Sequence, residues 1–173
     1  MPAETAPQRR LRIQNKIAEN ASRMTVQLAR ELAVPEVEVI RALPAGRAVE
    51  LDVTRWEALI RAFEPLGNVH VIATNGSVTL ECFGAFGNFS TWGEYFNVQT
   101  KNLDMHIRYK QLSAAFAVEK PGHMDGVSTL SFQFFDTAGD SAFKVFLTFG
   151  GKAAPPEKQA AFEAIRDAYR LAS

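Results

Sequence analysis

Leu130-Ser-Phe-Gln-Phe-Phe-Asp-Thr-Ala-Gly-Asp-Ser-Ala-Phe-Lys-Val-Phe-Leu-Thr-Phe149 is the stretch whose reading decides the fold. Two runs rich in Phe, Val and Leu flank a polar turn, Asp136-Thr137-Ala138-Gly139-Asp140. Leu130, Phe132 and Phe134 share one face of the first run, and Phe143, Val145, Leu147 and Phe149 share one face of the second. A period of two on both sides of a turn predicts a hairpin of half-buried strands, over 127–136 and 142–149.

Upstream of the hairpin the period stays near two. Val69 to Thr74 and Ser77 to Phe83 read as strands joined at Asn75-Gly76, a tight-hairpin dipeptide. Gly84 to Thr91 reads as a loop. Trp92 to Val98, Leu103 to Tyr109 and Leu112 to Glu119 read as further strands. Nearer the start, helices are expected over Arg9 to Glu19, Thr25 to Ala33 and Glu36 to Leu43. Residues 1 to 8 are expected to form a flexible tail. Thr54-Arg55-Trp56-Glu57 has the spacing of a capping box, and Trp56, Leu59, Ile60 and Phe63 continue it as one apolar stripe. Pro155-Pro156 opens a terminal helix striped by Phe162, Ile165 and Tyr169. Helices, then a strand-rich body, then a closing helix give an α+β fold with a largely antiparallel sheet, as a single domain over 1–173.

The chain has 173 residues, 47% of them hydrophobic, and 19 basic residues balance 19 acidic ones. That length supports a core without covalent staples. Zero net charge disfavours a general nucleic-acid binder, whose phosphate contacts call for a basic surplus. Cys82 is the sole cysteine, which excludes an intrachain disulfide and a thiolate metal cluster. No apolar run approaches the roughly 20 residues of a membrane helix, so no membrane insertion and a cytoplasmic location are expected.

Candidate chemistry is sparse. Met24 to Leu43 has the outline of a helix-turn-helix, but its second helix opens with Glu36 and Glu38, which would repel phosphates. It therefore reads as a structural pair, with a DNA-binding regulator as the lesser alternative. His70, His106 and His123 have no metal-pair spacing, although one neutral imidazole can ligate a porphyrin-held metal. No Cys-x-x-Cys-His occurs, which excludes covalent haem attachment. Gly84-Ala85-Phe86-Gly87 precedes an extended run rather than a helix with Lys-Ser/Thr, so it is not a phosphate loop. Phe86, Phe89, Trp92, Tyr95 and Phe96 could line an apolar pocket for a flat ligand.

Several blocks fall in the order of one known family. Phe132-Gln133-Phe134-Phe135-Asp136, with Gly139 and Ala142-Phe143-Lys144-Val145-Phe146, resembles the "QFFN-x-x-G-x-AMFKIF" block of haem-utilisation proteins of the HutX/ChuX type. Val39-Ile40-Arg41-Ala42-Leu43-Pro44 is similar to that family's "VVRALP". Gly67-Asn68-Val69 with Val78-Thr79-Leu80-Glu81 resembles "WGPVTVIVHTADVILE". Gly93-Glu94-Tyr95-Phe96-Asn97 and His106-Ile107-Arg108 resemble "GYFNL" and "GHIRAE". The resemblance covers about residues 25 to 165.

It implies one half of the tandem HemS/ChuS fold, a homodimer, and a cytosolic carrier or buffer of non-covalent haem b acting after import. Haem is then the ligand, and a haem-degrading enzyme or haem importer the expected partner. Reductant-dependent haem degradation is the enzymatic alternative. His106 falls on the histidine of "GHI" and is the implied iron ligand. Thr74 falls on the histidine of "VHTAD" and is a poor ligand. His70, four strand residues earlier, lies roughly 13 Å from that position. A haem site also needs apolar walls and cations, for which Phe96 and Ile107, and Arg108, Lys101 and Lys144, are candidates beside Asn97.

Overall fold

In the computed structural model, which describes residues 4–122, 127–150 and 152–172, the opening helix starts earlier than its apolar residues suggest. Helix α1 spans Ala6–Glu19, and Thr5 caps it. The Thr5 hydroxyl accepts from the Gln8 amide while the Gln8 side chain accepts from the Thr5 amide at 2.9 Å. The expected flexible tail over 1–8 is therefore corrected from residue 5 onward: this reciprocal pair satisfies two orphan amides, and Pro7 suits the first turn.

Helices α2 (Thr25–Leu32) and α3 (Glu36–Arg41) follow, with Ala33 turning between them in the left-handed region. Strand β1 (Ala48–Leu51) leads to a short 3-10 turn at Val53–Arg55 and to α4 (Trp56–Arg61). The Thr54–Glu57 capping box does not form. Asp52 caps the turn instead, its carboxylate accepting from the Thr54 amide at 3.1 Å, and Glu57 pairs with Arg61 one turn on. The apolar stripe holds, with Leu59, Ile60 and Phe63 fully buried.

The strands are β2 (Asn68–Thr74), β3 (Thr79–Ala85), β4 (Phe89–Trp92), β5 (Tyr95–Gln99), β6 (Asp104–Arg108), β7 (Leu112–Pro121), β8 (Ser128–Asp136) and β9 (Ser141–Phe146), closed by α5 (Pro156–Tyr169). Two expected boundaries move. Thr74 pairs with Thr79, so four residues connect β2 and β3 rather than Asn75-Gly76 alone. The Asn75 side chain accepts from the Ser77 and Val78 amides, which favours this wider loop. Trp92 to Val98 is not one strand, because Trp92 pairs with Tyr95 across a two-residue turn in which Gly93 takes φ +58°. The second half of the expected loop over 84–91 thereby becomes β4.

The strands form two antiparallel sheets. The larger has the order β1-β7-β8-β9-β2-β3, and the smaller the order β4-β5-β6. One face of the large sheet presents Val69, Val71, Ala115, Ala117, Phe132, Phe134, Phe143 and Val145 to the main core, which α4, α5 and the small sheet complete with Phe63, Phe162, Phe96 and Val98. The other face of β7 and β8 presents Ala114, Phe116, Val118 and Phe135 to α1, α2 and α3. The hairpin is therefore buried on both faces rather than half-buried. Phe149 lies past the end of β9 and is half exposed.

Burial of the second face sets a condition on its polar residues, because an unpaired polar group there costs free energy. Lys144 meets it by pairing with Glu36, which also accepts from the Thr25 hydroxyl at 2.5 Å. This joins the strand to α2 and α3. Four of the six residues of α3, Glu36, Val37, Val39 and Ile40, are spent on the interior, and so the helix cannot serve as a free recognition helix. The pair caps the sheet. No helix among the described residues is long and apolar enough to cross a membrane.

Candidate functional site

The small sheet has one face in the core and one in solvent. Alternation along β5 sends Phe96 and Val98 inward and Tyr95, Asn97 and Gln99 outward. The register then selects their neighbours on β6: Asn97 opposes His106, Tyr95 opposes Arg108, and Gln99 opposes Asp104. On the other side Ser90 opposes Asn97 and Trp92 opposes Tyr95. Beneath, Phe89 stacks on Phe96 at 5.5 Å between ring centres, and Trp56 of α4 meets Phe96 edge-on at 5.2 Å. The inner layer is packed ring against ring, and the outer layer is polar, with the Trp92 ring 76% exposed.

His106 sits at the middle of this outer layer. Its side chain is 53% exposed, so the ring edge is accessible. Nδ1 lies 2.7 Å from Asn97 Oδ1, and Nε2 lies 3.4 Å from Asp104 Oδ1. The Tyr95 ring stands edge-on at 6.4 Å. Arg108 adds a half-exposed guanidinium, paired with Glu94 at 3.0 Å. An imidazole base, a guanidinium and exposed aromatic surface on one face suit a planar, anionic ligand with a metal at its centre.

Not every expected residue stands there. His106, Asn97 and Arg108 do. Phe96 and Ile107 share the strands but point the other way into the core, so they support the face from below rather than wall a ligand. Phe86 and Phe89 are likewise packed inward, and of the five aromatic candidates for a flat pocket only Trp92 and Tyr95 face out. Lys144 belongs to the large sheet beneath the helical cap and is committed to Glu36. Lys101 lies in the turn between β5 and β6.

Thr74 ends β2 and helps line a separate cleft of about 640 Å³ between the helical cap and two hairpin tips. Arg30, Glu36, Asp136 and Ser141 line it too, and among the described residues no histidine, cysteine or methionine is on its walls. Buried His70 bonds Glu81 through Nε2 at 3.0 Å and meets the Phe149 ring edge-on at 4.9 Å. His123 lies outside the described residues. Among the described residues, no three His, Cys, Asp or Glu side chains are grouped to hold a metal ion.

Ser90, Gln99 and Asp104 escape sequence reasoning. They lie 16, 7 and 2 residues from His106. Asp104 shares its face by alternation along β6, whereas Ser90 and Gln99 reach it only through strand register, which two intervening turns determine. The alternation of β5 separates Asn97 and Gln99 from Phe96.

Comparison with known proteins bears on the family and the fold. The family model described as haem utilisation ChuX/HutX matches residues 49–165. The chain is 25% identical to the intracellular heme transport protein HutX of Vibrio cholerae over 146 residues, 83% of this chain and 75% of that one. It is 30% identical to the hemin transport protein HemS of Yersinia enterocolitica over 133 residues, 76% of this chain but only 37% of HemS. The solved structure of the heme-binding protein ChuX superposes with a TM-score of 0.77 at 20% identity, over 90% of this chain and 97% of that one.

Proposed function

The chain belongs to the ChuX/HutX haem utilisation family, and from that premise we propose that it binds haem non-covalently and carries it within the cytoplasm. The observation that carries the proposal is the convergence of His106, Asn97, Arg108, Tyr95 and Trp92 on one solvent-facing sheet surface. Haem, taken as haem b, would supply an iron that a nitrogen base can hold. In this reading His106 Nε2 would offer that base, Arg108 would offer charge to a propionate, and Trp92 and Tyr95 would offer ring surface. Phe96 and Ile107 hold the two strands in place from below.

An open face covers only one side of a porphyrin. A second copy of the chain would cover the other, which supports a homodimer. HemS, of which this chain spans 37%, is long enough for two such units in one polypeptide. A half-exposed site also suits transfer, because the ligand must leave again for a haem-degrading enzyme or arrive from an importer.

Haemin titration of the purified protein tests the proposal. Saturable growth of a Soret band is expected, and its absence would refute haem carriage. An electron donor added to the loaded protein separates carrier from enzyme: a carrier keeps its Soret band, whereas decay to an open-chain product would identify a degrading enzyme.

A further inference from the structure

The outward face of the small sheet carries a closed circuit of polar contacts. His106 Nδ1 meets Asn97 Oδ1 at 2.7 Å, and Asn97 Nδ2 donates to Ser90 Oγ at 3.0 Å. Ser90 Oγ donates to Gln99 Oε1 at 3.5 Å, and Gln99 Nε2 donates to Asp104 Oδ1 at 3.1 Å. Asp104 Oδ1 returns to within 3.4 Å of His106 Nε2. Five side chains from three strands thus orient one another around a single imidazole.

The direction of the circuit follows from donor and acceptor chemistry. The Asn97 amide nitrogen is spent on Ser90, so its oxygen faces Nδ1 and requires a proton there. Asn97 is buried, with 6% of its surface exposed, and cannot exchange this partner for solvent cheaply. Nε2 is then left with its lone pair on the exposed side. Asp104 is fixed by Gln99 beside that lone pair, an arrangement favourable only when a proton or a cation stands near both.

We infer that Asn97, oriented by Ser90, is a positioning residue that holds His106 in the Nδ1–H tautomer and so presents Nε2 as the metal-binding atom. Asp104 is the group that must give way when Nε2 takes a metal. The inference rests on the haem reading for its purpose but not for its test, since the tautomer is a property of the protein without haem. Outer groups of this kind fix the tautomer and orientation of ligating histidines, and their loss typically weakens metal affinity roughly 10- to 100-fold.

Nitrogen-15 NMR of the His106 ring in haem-free protein, at a pH where the ring is neutral, gives the direct test. Wild type is expected to carry its proton on Nδ1. Asn97→Leu is expected to shift the population to Nε2–H, while Asn97→Asp, which keeps an acceptor oxygen, should retain Nδ1–H. Ser90→Ala leaves the core untouched and should shift the population partially. Haemin affinity is expected to fall roughly 10- to 100-fold in Asn97→Leu and much less in Asn97→Asp. A wild-type ring protonated on Nε2, or a tautomer indifferent to Asn97→Leu, would overturn the inference. So would unchanged haemin affinity in an Asn97→Leu protein whose tautomer has shifted, where His106→Ala does lose haemin binding. The two readings fail separately: a shifted tautomer with haemin binding insensitive to His106→Ala would retain the tautomer lock and remove His106 from the haem site.

Discussion

The β8–β9 hairpin and the β4–β6 sheet are built from the same pattern and end in opposite uses. Each sends Phe or Val to the main core from one face and places polar side chains on the other: Ser131, Gln133 and Lys144 in the hairpin, Asn97, Gln99 and His106 in the small sheet. Three helices roof the hairpin's polar face. Its polar groups turn to one another, Gln133 donating to Ser131 at 3.0 Å and Lys144 pairing with Glu36, although Gln133 Oε1, Glu36 Oε2 and Ser141 Oγ stay buried without a partner. Nothing among the described residues roofs the small sheet, and its polar groups keep an accessible imidazole at their centre. The same alternation therefore yields structure where a layer covers it and a candidate site where none does.

Substitution should separate the two regions sharply. The largest effect is expected inside the hairpin, where Phe134→Ala removes a fully buried ring stacked on Phe143 at 4.6 Å. Urea unfolding should show a loss of about 3–5 kcal/mol, and a loss below about 1 kcal/mol would mean the ring is not at the core. Glu36→Leu should cost a similar amount, because it leaves the Lys144 ammonium buried without its partner. The double change Glu36→Leu with Lys144→Met should recover most of that stability. If the double variant is no more stable than the single one, the pair is not what joins the cap to the sheet.

On the small sheet the expectation reverses. His106→Ala should lower unfolding stability by only about 1 kcal/mol, the cost of leaving the Asn97 oxygen without its partner, while haemin binding is lost. A large stability loss would make His106 a structural residue like Lys144. The smallest effect concerns Lys120 on β7, whose ammonium is pushed down to about 8, first by burial and then by the Lys144 charge. The folded protein then gives up this proton at a lower pH than the unfolded chain does. Between pH 8 and the ordinary lysine range near 10.4 the unfolded state binds more protons, so this group makes stability rise with pH there. Lys120→Met should flatten that rise in a pH series of unfolding curves, and an unflattened rise would assign it to other groups.

The comparison also explains what could be read from the chain alone. Phe132, Phe134, Phe143 and Val145 announce one core face by alternation. Ser131, Gln133 and Lys144 look like a solvent face, because the helices that cover them lie about a hundred residues earlier and leave no local trace. The early start of α1 was legible in Thr5 and Gln8, a capping pair more modest than the Thr54–Glu57 spacing that Asp52 supplants. At the site, His106 and Asn97 were reachable through resemblance to a family. Ser90 required the register, and Asp104 only the alternation of the strand that carries His106. Thr74 and Lys144 illustrate the reverse: likeness of sequence placed them with His106, whereas topology puts both on the larger sheet.

Parallel haemin titrations of His106→Ala and His70→Gln compare the open-face imidazole with the buried one bonded to Glu81. The account predicts that the Soret band is lost or shifted in His106→Ala and kept in His70→Gln. A band unchanged in His106→Ala and lost in His70→Gln would contradict it and move the site to the large sheet.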